Sequence, residues 1–300
     1  MNMTPAELII EDESDIEILQ EYTGSGEDIK ILYHYTNLEG LIGIINSNKL
    51  RLTNSYFLND STEYEHGLLI LRIVLRRLER DKTLSLKFNY IQGLKTKGFW
   101  KNSLRDGVFT ASFCIKKDLL SQWRAYSGGI GVNIGFLSEP MLDYVDAMHG
   151  KAIYSVKNQA EILEKIIRAC LEIIPLDYDY VSAGHKDPVV AILAKIFLIL
   201  PFFKNRHFEE ETEYRIVYRM KLSDEKHLVK HVSLSQGIKS YIELPFESKE
   251  WNSSTTNEIG QVTVGPAEHQ SRVANEIKEF IKMKGITGIK VRRSKIPLSR

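Results

Sequence analysis

The sequence predicts one α+β domain built on a mixed or antiparallel sheet with flanking helices. Three observations carry this. Short β-branched and aromatic runs recur along the chain, several alternating at period two. Amphipathic helical stretches separate the early runs, whereas strands follow one another late. The glycine signature of a dinucleotide-binding parallel sheet, G-x-G-x-x-G after a strand, does not occur.

Residues 1–28 carry nine acids and no base, with Leu8, Ile9, Ile16, Ile18 and Leu19 among them. They read as a short acidic helix and a loop at Gly24-Ser25-Gly26, an extension ahead of a single domain over 29–300. The body opens on a strand at 31–35. A helix follows, with Thr36 as predicted N-cap, Glu39 three residues on, and Leu38, Leu41, Ile42, Ile44 and Ile45 on its apolar face. Residues 49–53 alternate as a second strand. Residues 63–87 are spaced as a helix, with Asp60 as its cap. Strands are expected at 108–115, 130–136 and 152–156, and a short helix at 119–126. Helices at 159–174 and 188–200 come next. Strands at 214–220, 232–234, 240–244 and 261–264, an amphipathic helix at 267–284 and a strand at 289–293 complete the chain.

The 300 residues hold 43% apolar and 26% charged side chains, which excludes a wholly disordered, collagenous or disulfide-stapled chain. Lys and Arg number 40 against 39 Asp and Glu, so global charge points to no nucleic-acid partner. Cys114 and Cys170 form no CxxC pair and sit in apolar runs, as buried structural thiols do. The histidines lack ligand spacing, so no metal site is expected. The longest apolar run, 189–203, contains Lys195 and Pro201 and falls short of the roughly 20 residues a bilayer needs. With no basic-then-apolar leader, the expectation is a cytoplasmic protein without membrane contact. From Arg272 to Arg300 there are nine bases against Glu276 and Glu279. That end either neutralises the acidic start or faces a polyanion such as nucleic acid.

No P-loop, HExxH, EF-hand or G-x-S-x-G motif is present. Three constellations remain. Tyr33-His34-Tyr35-Thr36 ends the first strand, where an imidazole can hydrogen-bond a ligand. Gln122-Trp123-Arg124-Ala125-Tyr126 puts two aromatics three apart on one helical turn, as a stacking face or as core. In Glu209-Glu210-Glu211-Thr212-Glu213-Tyr214-Arg215, an extended segment would point Glu211 and Glu213 to one face.

The order of these pieces matters. Tyr33-His34-Tyr35-Thr36 and Asn37-Leu38-Glu39-Gly40-Leu41 are followed by 50–55 and Leu58-Asn59-Asp60 with Glu63. Then come 109–114, Gln122-Trp123 with Tyr126, 129–136, Glu211-x-Glu213-Tyr214-Arg215 and Val264-Gly265-Pro266. Over 30–298 this resembles the bacterial domain of unknown function 2971 family, which is similar to a distant branch of the ADP-ribosyltransferase fold. The resemblance implies a split sheet, NAD as substrate, and a setting in bacterial anti-phage or toxin-type conflict. It implies that Glu213 stabilises the charge built on the ribose as the nicotinamide bond breaks, as in glycoside hydrolysis. Glu211 would orient or deprotonate the acceptor. His34, within Tyr33–Thr36, would donate to adenosine ribose hydroxyls, with Tyr35 and Thr36 beside it. Trp123 or Tyr126 would stack on nicotinamide. Arg51 or Arg215 would meet the pyrophosphate. Ser112, Trp123 and Tyr126 are the alternatives for the middle motif. The acceptor is left open among protein, nucleic acid and water. The alternative function is a catalytically inactive sensor of the same fold that binds a nucleotide or a phage protein.

Overall fold

All but one of the predicted strands overlap an observed one, and ten strands join in a single open mixed sheet in the computed structural model. The structure describes residues 3–23, 28–55, 61–95, 107–126, 129–145, 147–176, 178, 187–220, 228–234, 237–246 and 258–297. In chain order the elements are α1 (Pro5–Glu11), α2 (Ser14–Thr23), β1 (Ile31–Asn37), α3 (Leu38–Ser47), β2 (Lys49–Asn54), α4 (Ser61–Leu78) and α5 (Phe88–Leu94). There follow β3 (Val108–Cys114), α6 (Leu120–Tyr126), β4 (Gly131–Leu137), α7 (Ser138–Tyr144), β5 (Met148–Lys151), α8 (Val156–Ile173) and α9 (Pro188–Ile199). The last are β6 (Glu213–Arg219), β7 (Lys230–Leu234), β8 (Gly237–Pro245), β9 (Ile259–Val264), α10 (Gln270–Met283) and β10 (Lys290–Arg293).

Local chemistry explains where the boundaries moved. The N-cap of α3 is Asn37, not Thr36: its side chain accepts from the Gly40 N–H at 2.8 Å. The expected 63–87 helix breaks after Leu78. The Asp81 carboxylate accepts from Thr83 N–H at 2.9 Å and starts a 3-10 turn over Lys82–Lys87. The expected strand at 152–156 is lost because Ser155 caps α8 by accepting from Asn158 N–H; the strand lies earlier, as β5. Asp60, the expected cap of α4, lies outside the described residues. Helix α10 ends in a Schellman turn. Gly285, at φ 71°, donates to Lys282 O, Ile286 donates to Ile281 O, and Ile281 and Ile286 pack together in the core.

The two faces of the sheet differ. One is apolar: Leu32, Leu52, Phe113, Ile134, Ile216 and Val262 pack against α3, α7 and α10. The other carries Tyr33, Tyr35, Thr53, Ser112, Asn133 and Thr263. Beyond it, around β5 and β6, sits the second core, made largely of α1, α2, α4, α5, α8 and α9. A cavity opens on the polar face.

The acidic N-terminal segment is docked through Ile9 and Leu19, both fully buried in the helical core. Its charges meet mid-chain lysines rather than the basic C-terminal end. Glu21 pairs with Lys165, and Asp15 pairs with Lys195 at 2.7 Å with both side chains buried. The lysine inside the apolar run 189–203 is thus answered by the N-terminal extension. Removing one partner of a buried pair leaves an uncompensated charge. Asp15→Ala is expected to destabilise the fold by about 3–5 kcal/mol in urea unfolding. A change below 1 kcal/mol would show that the segment is not part of the folded unit.

Candidate functional site

The cavity exists because two strands compete for one strand edge. β6 pairs with β3 along its whole length, from Val108↔Arg219 to Cys114↔Glu213. The other edge of β3 is therefore shared. β2 pairs at Thr53↔Thr110 and Asn54↔Phe109, and β1 only at Tyr33↔Cys114. Continuing the β1 register would place Tyr35 opposite Ser112. Instead the His34 ring bonds the Ser112 carbonyl through Nδ1 at 3.1 Å. A side chain thus replaces a ladder bond where β1 and β2 diverge. Between them lies a cavity of about 230 Å³, lined by His34, Ser112, Gln122, Lys204, Glu211 and Glu213. Its wall also takes in Arg51, Tyr126, Phe208, Arg215 and Lys239.

Strand alternation puts Glu213 and Arg215 on the polar face of β6, opposite Cys114 and Ser112 of β3. Both are buried, and so is Lys204. Lys204 Nζ donates to Glu213 Oε2 at 2.7 Å, and Arg215 Nη2 donates to the same oxygen at 2.8 Å. Both charged donors converge on Oε2, and the Glu213 side chain forms part of the cavity wall. Burial disfavours the carboxylate, but the Arg215 guanidinium and the Lys204 ammonium outweigh it and hold Glu213 well below the usual carboxylate range. Such a group is a weak base. It is suited to accept a hydrogen bond and to stabilise positive charge.

Glu211 reaches the cluster differently from the sequence expectation. It does not share an extended face with Glu213. It ends a 3-10 turn, Arg206–Glu211, capped by Asn205, and Thr212 follows in the left-handed region at φ 42°. The carboxylates are joined through Lys204, whose Nζ also donates to Glu211 Oε2. Two cations and two anions thus sit together, and Lys204 lies 5.3 Å from the centre of the Phe208 ring. Lys204 was not legible as a site residue. It stands nine residues before Glu213, outside every motif, and a buried bridge fixes it: Gln159 donates to Lys204 O at 3.0 Å and to Ile153 O at 2.6 Å, and pairs with His66 at 2.9 Å.

By register His34 belongs to the opposite sheet face from Glu213, against Phe113 at 5.6 Å between ring centres. The divergence of the strands lets both line one cavity. A carbonyl only accepts, so the ring hydrogen is on Nδ1. Burial pushes the imidazole pKa down, only partly offset by the Ser112 bond. The neutral ring therefore offers Nε2 as an acceptor, the reverse of the donor role expected from the resemblance. The sign for stability follows: an unfolded imidazole takes up its proton at higher pH than the folded one. Stability is expected to fall as pH drops below about 6.5, and His34→Asn should reduce that slope in parallel melts. Equal slopes would place the ring in solvent.

The aromatic expectation divides. Trp123 is buried, donates from Nε1 to Asp118 at 2.7 Å and meets Tyr35 edge-on at 4.7 Å. It presents no stacking face. Tyr35 lines the cavity, but its hydroxyl is spent on Lys116 O and Leu119 N–H. Thr36 lies away from the cavity, packed on Gly40. Tyr126 lines the wall and is exposed, so Ser112 and Tyr126 remain at the cavity and Trp123 does not. Trp123→Ala is expected to cost about 3–5 kcal/mol of stability. Tyr126→Ala should leave the melt unchanged and weaken ligand binding. The arginines divide too: Arg215 is committed to Glu213 and the Pro201 carbonyl. Arg51 is exposed at the rim, 4.9 Å over the Tyr241 ring and 3.5 Å from Glu243. Cys114, also on the wall, donates to Glu211 O at 3.1 Å, and burial raises its pKa, so it stays a thiol. No group of His, Cys, Asp and Glu among the described residues could hold a metal ion. Among the described residues no helix is long and apolar enough to cross a membrane.

Comparison with protein-family profiles, curated proteins and solved structures gives no match.

Proposed function

We propose that the cavity cleaves NAD at the nicotinamide–ribose bond and passes ADP-ribose to an acceptor or to water, within an ADP-ribosyltransferase-like fold of the domain of unknown function 2971 family. The observation that carries this reading is that His34 and Glu213, 179 positions apart in sequence, line one cavity at a fork in the sheet. A buried carboxylate held ionised on the cavity wall is the group such a bond cleavage calls for, because positive charge develops on the ribose. The cavity volume lies below the range that buries a drug-sized ligand. It fits the nicotinamide ribose, leaving the pyrophosphate at the rim with Arg51 and Lys239. A role in bacterial conflict and a cytoplasmic setting belong to the same proposal.

The reading is tested by incubating the protein with NAD and following free nicotinamide. Release that requires the folded protein supports it; no release, with or without added acceptors, overturns it. One observation favours a second reading, the inactive sensor. Glu213 is already neutralised by two buried cations, as a purely structural cluster would be. Tight NAD or ADP-ribose binding without turnover would decide for that reading.

A further inference from the structure

We propose that the sheet margin beside the cavity docks a single-stranded nucleic acid. The surface is made by Lys117, Arg292 and Lys295, with Lys116 and Lys290 at its edges. In sequence these bases lie far apart, in the segment after β3 and on the last strand. The sheet brings them together: β10 pairs in parallel with β9, and Lys290↔Gln261 and Arg292↔Thr263 put both cations on the polar face. Lys117 is held next to them because Asn133 on β4 bonds its carbonyl. Lys116, Lys290, Arg292 and Lys295 are exposed. Lys117 lies within the field of both Arg292 and Lys295.

The two segments that supply these cations carry far more base than acid. Asp118 is the one acid in residues 115–118 and 290–295. Its oxygens are held by Trp123 Nε1, Ser294 Oγ and the Lys295 N–H. Like charges gathered at a sheet edge against one acid match a polyanion. Tyr33 connects this margin to the site, since it lines the cavity and feels the charge of Arg292. On the cavity wall Tyr126 and Phe208 are 38% and 37% exposed. Exposed rings on a cavity wall that Tyr33 joins to the cationic margin suit a strand whose bases are unstacked, because each base then has a free face. A duplex offers no such face. The inference stands apart from the NAD reading, since it is tested by binding in the absence of NAD.

The experiment is fluorescence anisotropy with a labelled single-stranded oligonucleotide of mixed sequence, titrated at several salt concentrations between about 50 and 200 mM. The wild-type chain should bind with affinity that falls as salt rises. The combined variant Lys117→Gln, Arg292→Gln, Lys295→Gln should lower the log–log salt slope by about 2, at roughly 0.7 per lost phosphate contact. The charge-retaining variant Lys117→Arg, Lys295→Arg should keep the slope, which separates lost charge from lost fold. The proposal is overturned if the wild type does not bind the strand, or if the neutralised variant binds with an unchanged slope. It is also overturned if a duplex of the same sequence binds as well as the strand, or if phosphatidylserine vesicles bind and the strand does not.

Discussion

Glu213→Gln is expected to reduce nicotinamide release by about 10²–10³-fold, the loss typical when one preorganised electrostatic partner of a transition state is removed. The amide keeps the shape and can still accept a hydrogen bond from a ribose hydroxyl, so KM should change little. What it lacks is the negative charge that answers the developing cation. The substitution also leaves Lys204 and Arg215 facing Glu211 alone, a buried charge imbalance worth about 3–5 kcal/mol of stability. Turnover should therefore be measured well below the variant's melting temperature, with NAD binding measured on the same sample. A variant that binds NAD and releases nicotinamide at the wild-type rate would remove Glu213 from the reaction and the proposed function with it.

Lys204→Met is the second large effect, and its signature is a shifted pH profile. Glu213 is now held ionised by two cations against burial. With the ammonium gone, one cation remains against the same burial, so the carboxyl pKa must rise. A carboxylate with a depressed folded pKa adds stability that is complete above its unfolded pKa, about 4.3, and lost as pH falls through the folded value. In the variant that loss moves to higher pH, and the acid limb of the activity profile should move with it. Stability should also fall by about 3–5 kcal/mol, because Glu211 and Glu213 are left facing each other across the lost cation. Lys204→Arg should restore part of both. A loss of stability with an unmoved acid limb would make Lys204 a structural residue only.

Much of the fold was legible because local pattern and tertiary context agree. The strand at 31–35, the helix behind it and the amphipathic 267–284 stretch each carry a period that survives in β1, α3 and α10. Boundaries failed where a neighbouring side chain could cap either of two positions, as at Thr36 and Asn37, or where a β-branched run was captured by a helix start, as at Ser155 and Val156. The candidate site was legible in its types but not in its geometry. Period two placed Glu211 with Glu213, but a left-handed Thr212 lies between them. Trp123 and Tyr126 sit three apart on one turn, yet only packing against Tyr35 and Gly265 decides that the first is core. Lys204 carries no local signal, since its role comes from the burial of two carboxylates nearby in space and from Gln159 behind it.

The ring of His34 is a doorstop between strands. It takes the carbonyl that a fully zipped β1–β3 pair would give to the Tyr35 amide. Sheet continuity and ligand access are therefore alternatives in this chain: each further rung of the ladder would seal the hollow. A small side chain at position 34 would silence the site by closure, over and above the loss of the ring from the cavity wall. Slowed hydrogen exchange at the Tyr35 amide would be the mark of that sealed form.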